Sequence, residues 1–97
     1  MEIGLDLGTS SVIAVLCRDG RMLGEATHPL TTRSPMPYAS EQDPADWWQA
    51  VLRVLADLLA PLSASDRQDI AAIGLSGQMH GAVLLDATDQ VLRPTML

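Results

Sequence analysis

The first two apolar segments of the chain, residues 2–7 and 11–17, are separated only by Gly8-Thr9-Ser10. Each segment is short, free of proline and apolar enough to predict a β-strand. Because so short a connection cannot cross over a sheet, the two strands must be antiparallel neighbours. The sequence Arg18-Asp19-Gly20-Arg21 then favours a type I′ turn into a third strand over residues 22–27. The chain is therefore predicted to begin with a three-stranded antiparallel meander.

A helix is predicted to follow the proline-containing loop over residues 29–40. Asp43-Pro44 is a strong helix start, since Asp is a favoured N-cap and Pro is favoured at the first helical position. The helix is expected to end near Ala60, before Pro61. Its apolar face is predicted to contain Trp48, Val51, Leu52, Leu55, Leu58 and Leu59.

The remaining segments complete an α/β pattern. They are a short helical turn over residues 65–69, a buried strand over residues 70–75, and a hairpin formed by residues 82–86 and 91–93. The predicted order is β-β-β-α-β followed by a hairpin. At 97 residues the chain is at most one small domain.

Composition excludes several classes of function. The net charge is −6, and the six basic residues are all Arg and are scattered, so no basic surface for nucleic acid or an anionic membrane is expected. The absence of Lys excludes a P-loop, and no G-x-G-x-x-G follows the first strand. No apolar run approaches ~18 residues and the chain does not open like a signal peptide. We therefore expect no membrane partner and a cytoplasmic location.

The first candidate site lies at the end of the first strand, at Asp6. A carboxylate on an apolar strand needs a partner, either the backbone amides of the next turn or a divalent cation. Gly8-Thr9-Ser10 would offer free N–H groups and hydroxyls to phosphate oxygens. A carboxylate that holds Mg²⁺ beside such a turn is typical of phosphoryl transfer. The alternative is that Asp6 only caps the hairpin turn.

The second candidate site is Gln78-Met79-His80, which follows the strand over residues 70–75. Gln78 and a neutral His80 each combine a donor with an acceptor, which suits the adjacent hydroxyls of a sugar. Met79 could pack against the carbon skeleton. The flanking Gly77 and Gly81 would let backbone and ligand approach closely. The alternative is a core Met79 beside a His80 that is hydrogen-bonded to a backbone carbonyl.

The segment Met1-Glu2-Ile3-Gly4-Leu5-Asp6-Leu7-Gly8-Thr9-Ser10-Ser11 resembles the opening of the FGGY carbohydrate kinases. Three more segments resemble the xylulokinases of that family: Ser40-Glu41-Gln42-Asp43-Pro44 followed by Trp47-Trp48, Gly74-Leu75-Ser76-Gly77-Gln78-Met79-His80-Gly81, and Leu92-Arg93-Pro94. The triplet Gln-Met-His discriminates within the family, because glycerol kinases carry Gln-Arg-Glu there. Gluconokinases also place Met-His in that region.

The resemblance implies the ribonuclease H-like fold of the actin, Hsp70 and hexokinase ATPases, with ATP and Mg²⁺ bound between two large domains. It assigns Asp6 to the metal and the phosphates, and Gly8-Thr9-Ser10 to the neighbourhood of the transferred phosphoryl group. It assigns Gln78-Met79-His80 to the sugar, D-xylulose. These roles are assigned by analogy with the family. They agree with the independent interpretation of both sites.

The resemblance covers residues 1–97 as the N-terminal part of the N-terminal, sugar-binding domain of a much longer kinase. The aspartate that acts as general base and the C-terminal domain would lie beyond Leu97. The expected function is therefore that of a xylulokinase, which uses ATP to convert D-xylulose to D-xylulose 5-phosphate, with these 97 residues inactive alone.

Other functions stay open at this point. The chain could belong to a kinase for another sugar, such as gluconate. It could also be a non-catalytic sugar-binding or interaction module, with exposed apolar surface that supports self-association. A nuclease with ribonuclease H-like strand order is a third possibility, but it would need several carboxylates at a metal pair, and only Asp6 is well placed.

Overall fold

The structure, a computed structural model, describes all residues from 1 to 97 and contains six strands and two helices. Their bounds are β1 Glu2–Leu7, β2 Ser11–Arg18, β3 Arg21–Pro29, β4 Glu41–Gln42, α1 Pro44–Leu59, α2 Ala64–Gln68, β5 Ala72–Gly77 and β6 Thr95–Met96. The predicted meander and helix are confirmed. Strand β3 is longer than expected because its pairing with β2 extends to Pro29 opposite Ser11.

One mixed sheet organises the chain, with the strand order β3-β2-β1-β5. Strands β1, β2 and β3 are antiparallel neighbours, whereas β5 returns parallel to β1 after both helices. The turn between β2 and β3 has positive φ at Asp19 (52°) and Gly20 (76°), as the predicted type I′ turn requires. This α/β arrangement confirms the predicted fold class.

Helix α1 begins where the sequence predicts. The Asp43 side chain accepts a 2.9 Å hydrogen bond from the Ala45 amide, and Pro44 occupies the first turn. The helix packs on β2 and β3. The resulting core consists of Ile3, Leu5, Val12, Ala14, Leu16, Ala50, Val51, Val54 and Leu58.

The predicted apolar face of α1 is partly wrong. Trp48 is 61% exposed and Leu52 is also exposed, whereas Ala50 and Val54 are fully buried. Fewer apolar side chains of α1 are buried than its composition indicates. Trp48 and Leu52 lie at the border of the helix–sheet contact and remain exposed.

Strand β5 differs most from expectation. It starts two residues later than predicted, at Ala72, and all of its residues are exposed rather than buried. In the parallel register Ile73 lies beside Ile3 and Leu75 beside Leu5, but α1 does not extend over this edge of the sheet. Ile73 is 51% and Leu75 is 77% exposed. An apolar sequence predicts a strand, but neighbouring elements decide whether that strand is covered.

The predicted hairpin near the end of the chain forms only in part. A single bridge joins Leu85 to Val91, and the Leu92 amide donates to the Leu84 carbonyl at 2.9 Å. The Asp86 side chain holds the turn, since its Oδ1 accepts from the Thr88 amide, the Thr88 hydroxyl and the Gln90 amide. These bonds lower the pKa of Asp86, the Gln90 amide most strongly.

A second, two-stranded sheet was not predicted. Strand β4 pairs antiparallel with β6, so Gln42 lies opposite Thr95. Two residues per strand are too few to give a sequence pattern. Neither helix combines the length and apolar character needed to cross a membrane.

Candidate functional site

The two candidate sites meet at one edge of the main sheet. Because β1 and β5 are parallel and Leu7 lies opposite Gly77, the loops that follow them leave the sheet side by side. In open α/β sheets this edge, at the carboxyl ends of the strands, is where ligands bind. The Gln78 amide donates to the Leu7 carbonyl at 2.9 Å. The Thr9 hydroxyl donates to Gln78 Oε1 at 2.8 Å, so the two predicted sites are in direct contact.

Asp6 lies exposed near the end of β1, and its carboxylate makes no hydrogen bond or ion pair within the chain. The structure therefore does not show the turn-capping role that was the alternative for this residue. Asp6 borders a shallow depression of about 340 Å³ on the sheet face opposite α1, together with Gly4, Gly74 and Ser76. The depression exists because both glycines leave the sheet surface without side chains at that point.

The side chains of this chain could bind a cation only if phosphate oxygens or waters supplied its remaining ligands. No group of three or more His, Cys, Asp or Glu side chains lies close enough to hold a metal. Mg²⁺ is commonly bound by one or two carboxylates together with phosphate oxygens and waters. The free carboxylate of Asp6 fits such an ion, whereas it does not form a structural metal site by itself.

The turn between β1 and β2 offers fewer free amides than expected. The Gly8 N–H donates to the Ser11 carbonyl at 2.9 Å and is therefore not available to a phosphate, which corrects the prediction for this group. The amides of Thr9 and Ser10 have no partner within the chain. A Cβ at Gly8 would lie 3.1 Å from the Ser11 carbonyl oxygen, so a side chain there would require the turn to widen by a few tenths of an ångström.

The second loop presents two side chains to solvent. Met79 is 78% exposed, and the His80 side chain makes no hydrogen bond within the chain. The structure therefore shows neither a core Met79 nor a His80 bonded to a backbone carbonyl. His80 has φ of 68°, a left-handed conformation that is uncommon for residues other than glycine. This left-handed backbone lies at a residue of the predicted sugar site.

Close approach of a ligand at Gly77 and Gly81 stays a prediction, and their backbone geometry is as follows. Neither Gly77 nor Gly81 has positive φ. A Cβ added at Gly81 would lie 3.4 Å from Thr95 Cγ2, so this glycine lets the loop lie close to β6. A Cβ at Gly77 would meet only the Leu7 carbonyl oxygen, at 3.9 Å.

Sequence reasoning missed two buried polar residues behind the loops. Gln42 is 1% exposed, and its side chain contacts both Thr9 and Gln78. Thr95 is fully buried, and its hydroxyl has no hydrogen-bond partner. Gln42 lies directly before a helix cap and within a segment that resembles the xylulokinases, but neither feature distinguishes a buried glutamine from an exposed one.

A concave space of about 150 Å³ lies between the two loops and α1. Gly8 and Gln78 line it from the two loops, and Trp47 lines it from the helix. The Trp47 indole N–H donates to Gln42 Oε1 at 2.8 Å, which fixes the ring at the border of this space.

Comparison with known proteins places this arrangement in a family. All 97 residues match the FGGY family of carbohydrate kinases, N-terminal domain. The chain belongs to the FGGY family of carbohydrate kinases. The expected fold is thereby confirmed, since this is the N-terminal part of an actin-like ATPase fold.

Individual members of the FGGY family are closely similar to this chain. The xylulose kinase of Escherichia coli K12 is 48% identical over 98 residues, which cover 100% of this chain and 20% of that protein. The structure of a xylulose kinase from Brucella ovis superposes with a TM-score of 0.90 at 48% identity, over 98% of this chain and 20% of that one. A gluconate kinase structure from Lactobacillus acidophilus gives a TM-score of 0.89 at 27% identity, over 98% and 19% of the two chains. The chain thus spans about a fifth of the length of these relatives.

Proposed function

We propose that this FGGY chain supplies the sugar side and the phosphate side of the active-site cleft of an ATP-dependent xylulose kinase. The complete enzyme would transfer the γ-phosphoryl group of ATP to the 5-hydroxyl of D-xylulose. One observation carries the proposal: the 2.8 Å hydrogen bond between Thr9 and Gln78 brings a phosphate-type turn and a sugar-type loop side by side. The identity of 48% to a xylulose kinase over the whole chain supports this substrate.

Different residues would bind the two ligands. On the phosphate side, the free amides of Thr9 and Ser10 and the Ser10 hydroxyl would bind phosphate oxygens, while the Thr9 hydroxyl donates to Gln78 and Gly8 keeps the turn tight. Asp6 would bind Mg²⁺, which neutralises charge on the transferred group. On the sugar side, the half-buried Gln78 and the exposed Met79 and His80 would contact D-xylulose, Gln78 and His80 through the side-chain amide and the imidazole.

The general base that activates the sugar hydroxyl is not among these groups. The family resemblance assigns this role to an aspartate beyond Leu97. It places the adenosine-binding domain beyond Leu97 as well. Turnover is therefore proposed for the longer kinase, and these 97 residues by themselves are expected to show none.

A different sugar is the main alternative, because the gluconate kinase of Lactobacillus acidophilus has nearly the same backbone over this chain. The exposed side chains of Ile73 and Leu75 also suit the non-catalytic interaction module considered above. Both alternatives keep the fold and differ in the ligand.

The proposed function is tested by assaying the intact gene product that contains these residues. ATP-dependent ADP release would be measured with D-xylulose, D-gluconate and glycerol in parallel. The proposal predicts the largest kcat/KM for D-xylulose. A larger kcat/KM for gluconate would transfer the assignment to that sugar, and no turnover with any of the three would support the non-catalytic module.

A further inference from the structure

Gln42 is the most completely bonded buried side chain in the molecule. Its Nε2 donates to the Thr9 carbonyl at 2.6 Å and to the Thr32 hydroxyl at 2.9 Å. Its Oε1 accepts from the Trp47 indole at 2.8 Å and from Gln78 Nε2 at 3.5 Å. Both donors and both acceptor positions of the amide are thus used, at a residue that is 1% exposed.

The direction of these bonds is fixed by groups that can act in only one sense. An indole N–H can only donate, so Trp47 holds the oxygen of the Gln42 amide on its side. A backbone carbonyl can only accept, so Thr9 holds the nitrogen. If the Gln42 amide flipped, its N–H groups would face the Trp47 N–H and its oxygen would face the Thr9 carbonyl. Both contacts are unfavourable in a site closed to water, so the orientation is fixed.

Gln42 also completes a closed ring of hydrogen bonds. The Gln42 side chain donates to the Thr9 carbonyl and accepts from the Gln78 side-chain amide. The Thr9 hydroxyl donates directly to Gln78 Oε1, which closes the ring. Neither loop can shift relative to the other without breaking a bond of this ring. The ring therefore joins the turn after β1 to the loop after β5, where the proposed function places the two ligands.

We propose that Gln42 is a positioning residue that couples occupancy of the two loops. Sugar bound at the Gln78 loop orders Gln78, which through Gln42 and Thr9 orders the turn for the phosphates, and the reverse holds by thermodynamic reciprocity. The ligand identities in this statement rest on the proposed function. The mechanical link between the loops rests on the contacts alone.

The first test measures coupling between ligands in the intact gene product. The dissociation constant of a non-hydrolysable ATP analogue with Mg²⁺ is determined by calorimetry with and without saturating D-xylulose. In the unaltered protein the sugar should tighten nucleotide binding about fivefold or more. Gln42→Met, which keeps the length of the side chain but removes its amide, should reduce this factor to about 1. An unchanged factor in Gln42→Met would overturn the proposal.

Thr32→Val is the matched control. It removes one hydrogen bond of the same Gln42 amide, but Thr32 lies outside the ring and makes no hydrogen bond to either ligand loop. If Gln42 only stabilised the fold, both variants would lower the melting temperature and both would keep the coupling factor. The proposal predicts that only Gln42→Met loses it.

The second test needs no ligand, so it remains decisive if D-xylulose does not bind. Amide hydrogen exchange is followed in the segments 7–11 and 77–81 of the ligand-free protein. Gln42→Met should accelerate exchange in both segments together by about fivefold, the effect of losing about one hydrogen bond. Acceleration in one segment only, or in neither, would show that Gln42 does not link the loops. Lack of sugar binding with joint acceleration would refute the proposed sugar and leave the link intact.

Discussion

Asp6 and His80 lie on different sides of the proposed cleft, so their substitutions should change different kinetic constants. Asp6 presents a free carboxylate beside the turn after β1, whereas His80 is exposed in the loop after β5. A group that acts on the transferred phosphoryl group affects the transition state more than the bound sugar.

Asp6→Asn should lower kcat by about 100-fold or more, because it removes charge where Mg²⁺ and the phosphates would bind. The KM for sugar should change less than about twofold, since Asp6 does not contact the sugar in the proposed arrangement. Steady-state kinetics on the intact gene product measure both constants. Asp19→Asn, in the exposed β2–β3 turn, is the control and should leave both unchanged. A larger effect on sugar KM than on kcat would contradict the assignment of Asp6.

His80→Ala should weaken sugar binding by about tenfold, the effect of one lost hydrogen bond together with a less favourable backbone. His80→Asn provides the comparison, because Asn tolerates the observed φ of 68° and retains a donor and an acceptor. Calorimetry should place its dissociation constant between those of the original protein and His80→Ala. Equal affinities for all three proteins would remove His80 from the sugar site.

Individual residues could be predicted where the chemistry is local. Asp6, Thr9 and Gln78 stand at strand ends, and polar groups in that position are recognisable without a structure. Gln42 was missed because its burial depends on four partners that are distant in the sequence or on other elements.

At the scale of elements, helix α1 was predictable because its start is encoded locally by Asp43 and Pro44. The identity of its buried side was less predictable, since Leu52 and Leu58 have the same side chain but different surroundings. Leu58 is part of the core, while Leu52 is exposed. The same limit applies to β5, whose apolar residues are exposed.

Leu58→Ala should therefore lower the free energy of unfolding by about 2–4 kcal/mol, through lost burial and the cavity that remains. Leu52→Ala removes the same atoms from the surface and should change it by less than about 1 kcal/mol. Urea denaturation of the two variants makes the comparison. Similar losses in both would mean that α1 does not pack on the sheet through the Leu58 side.

The turn held by Asp86 should loosen in acid. The hydrogen bonds from Gln90 and Thr88 lower the pKa of Asp86 in the folded state below its ordinary value. The turn is therefore fully stabilised above the unfolded-state pKa, and the stabilisation is lost as the pH falls through the lowered folded-state pKa. NMR titration should show the amide resonances of Thr88 and Gln90 moving together below about pH 4. Asp86→Asn should abolish this joint transition; its persistence would show that another group controls the turn.

At the scale of the whole molecule, one face of the sheet's β5 edge has no covering layer. Ile73 and Leu75 are exposed there, and Trp48 is exposed on the helix. Exposed apolar surface of this kind favours association with another surface. Exposed apolar surface was expected from the sequence, but its position on β5 could not be predicted, because that depends on which elements pack over the sheet.

The 97-residue chain by itself is therefore expected to self-associate in a concentration-dependent way. Leu75→Ser should shift sedimentation velocity towards the monomer without lowering the melting temperature, since Leu75 makes little contact with the core. Ala45→Ser, at an exposed position near the start of α1, is a control that should not shift it. A monomer at all concentrations would exclude self-association through β5.

The central claim is that the turn after β1 and the loop after β5 form the two sides of one cleft. A crystal structure of the intact gene product with D-xylulose and a non-hydrolysable ATP analogue tests this most directly. The account predicts sugar hydroxyls within hydrogen-bond distance of His80 or Gln78, and phosphate oxygens at the free amides of Thr9 and Ser10. A sugar or phosphate group bound away from these two loops would contradict it.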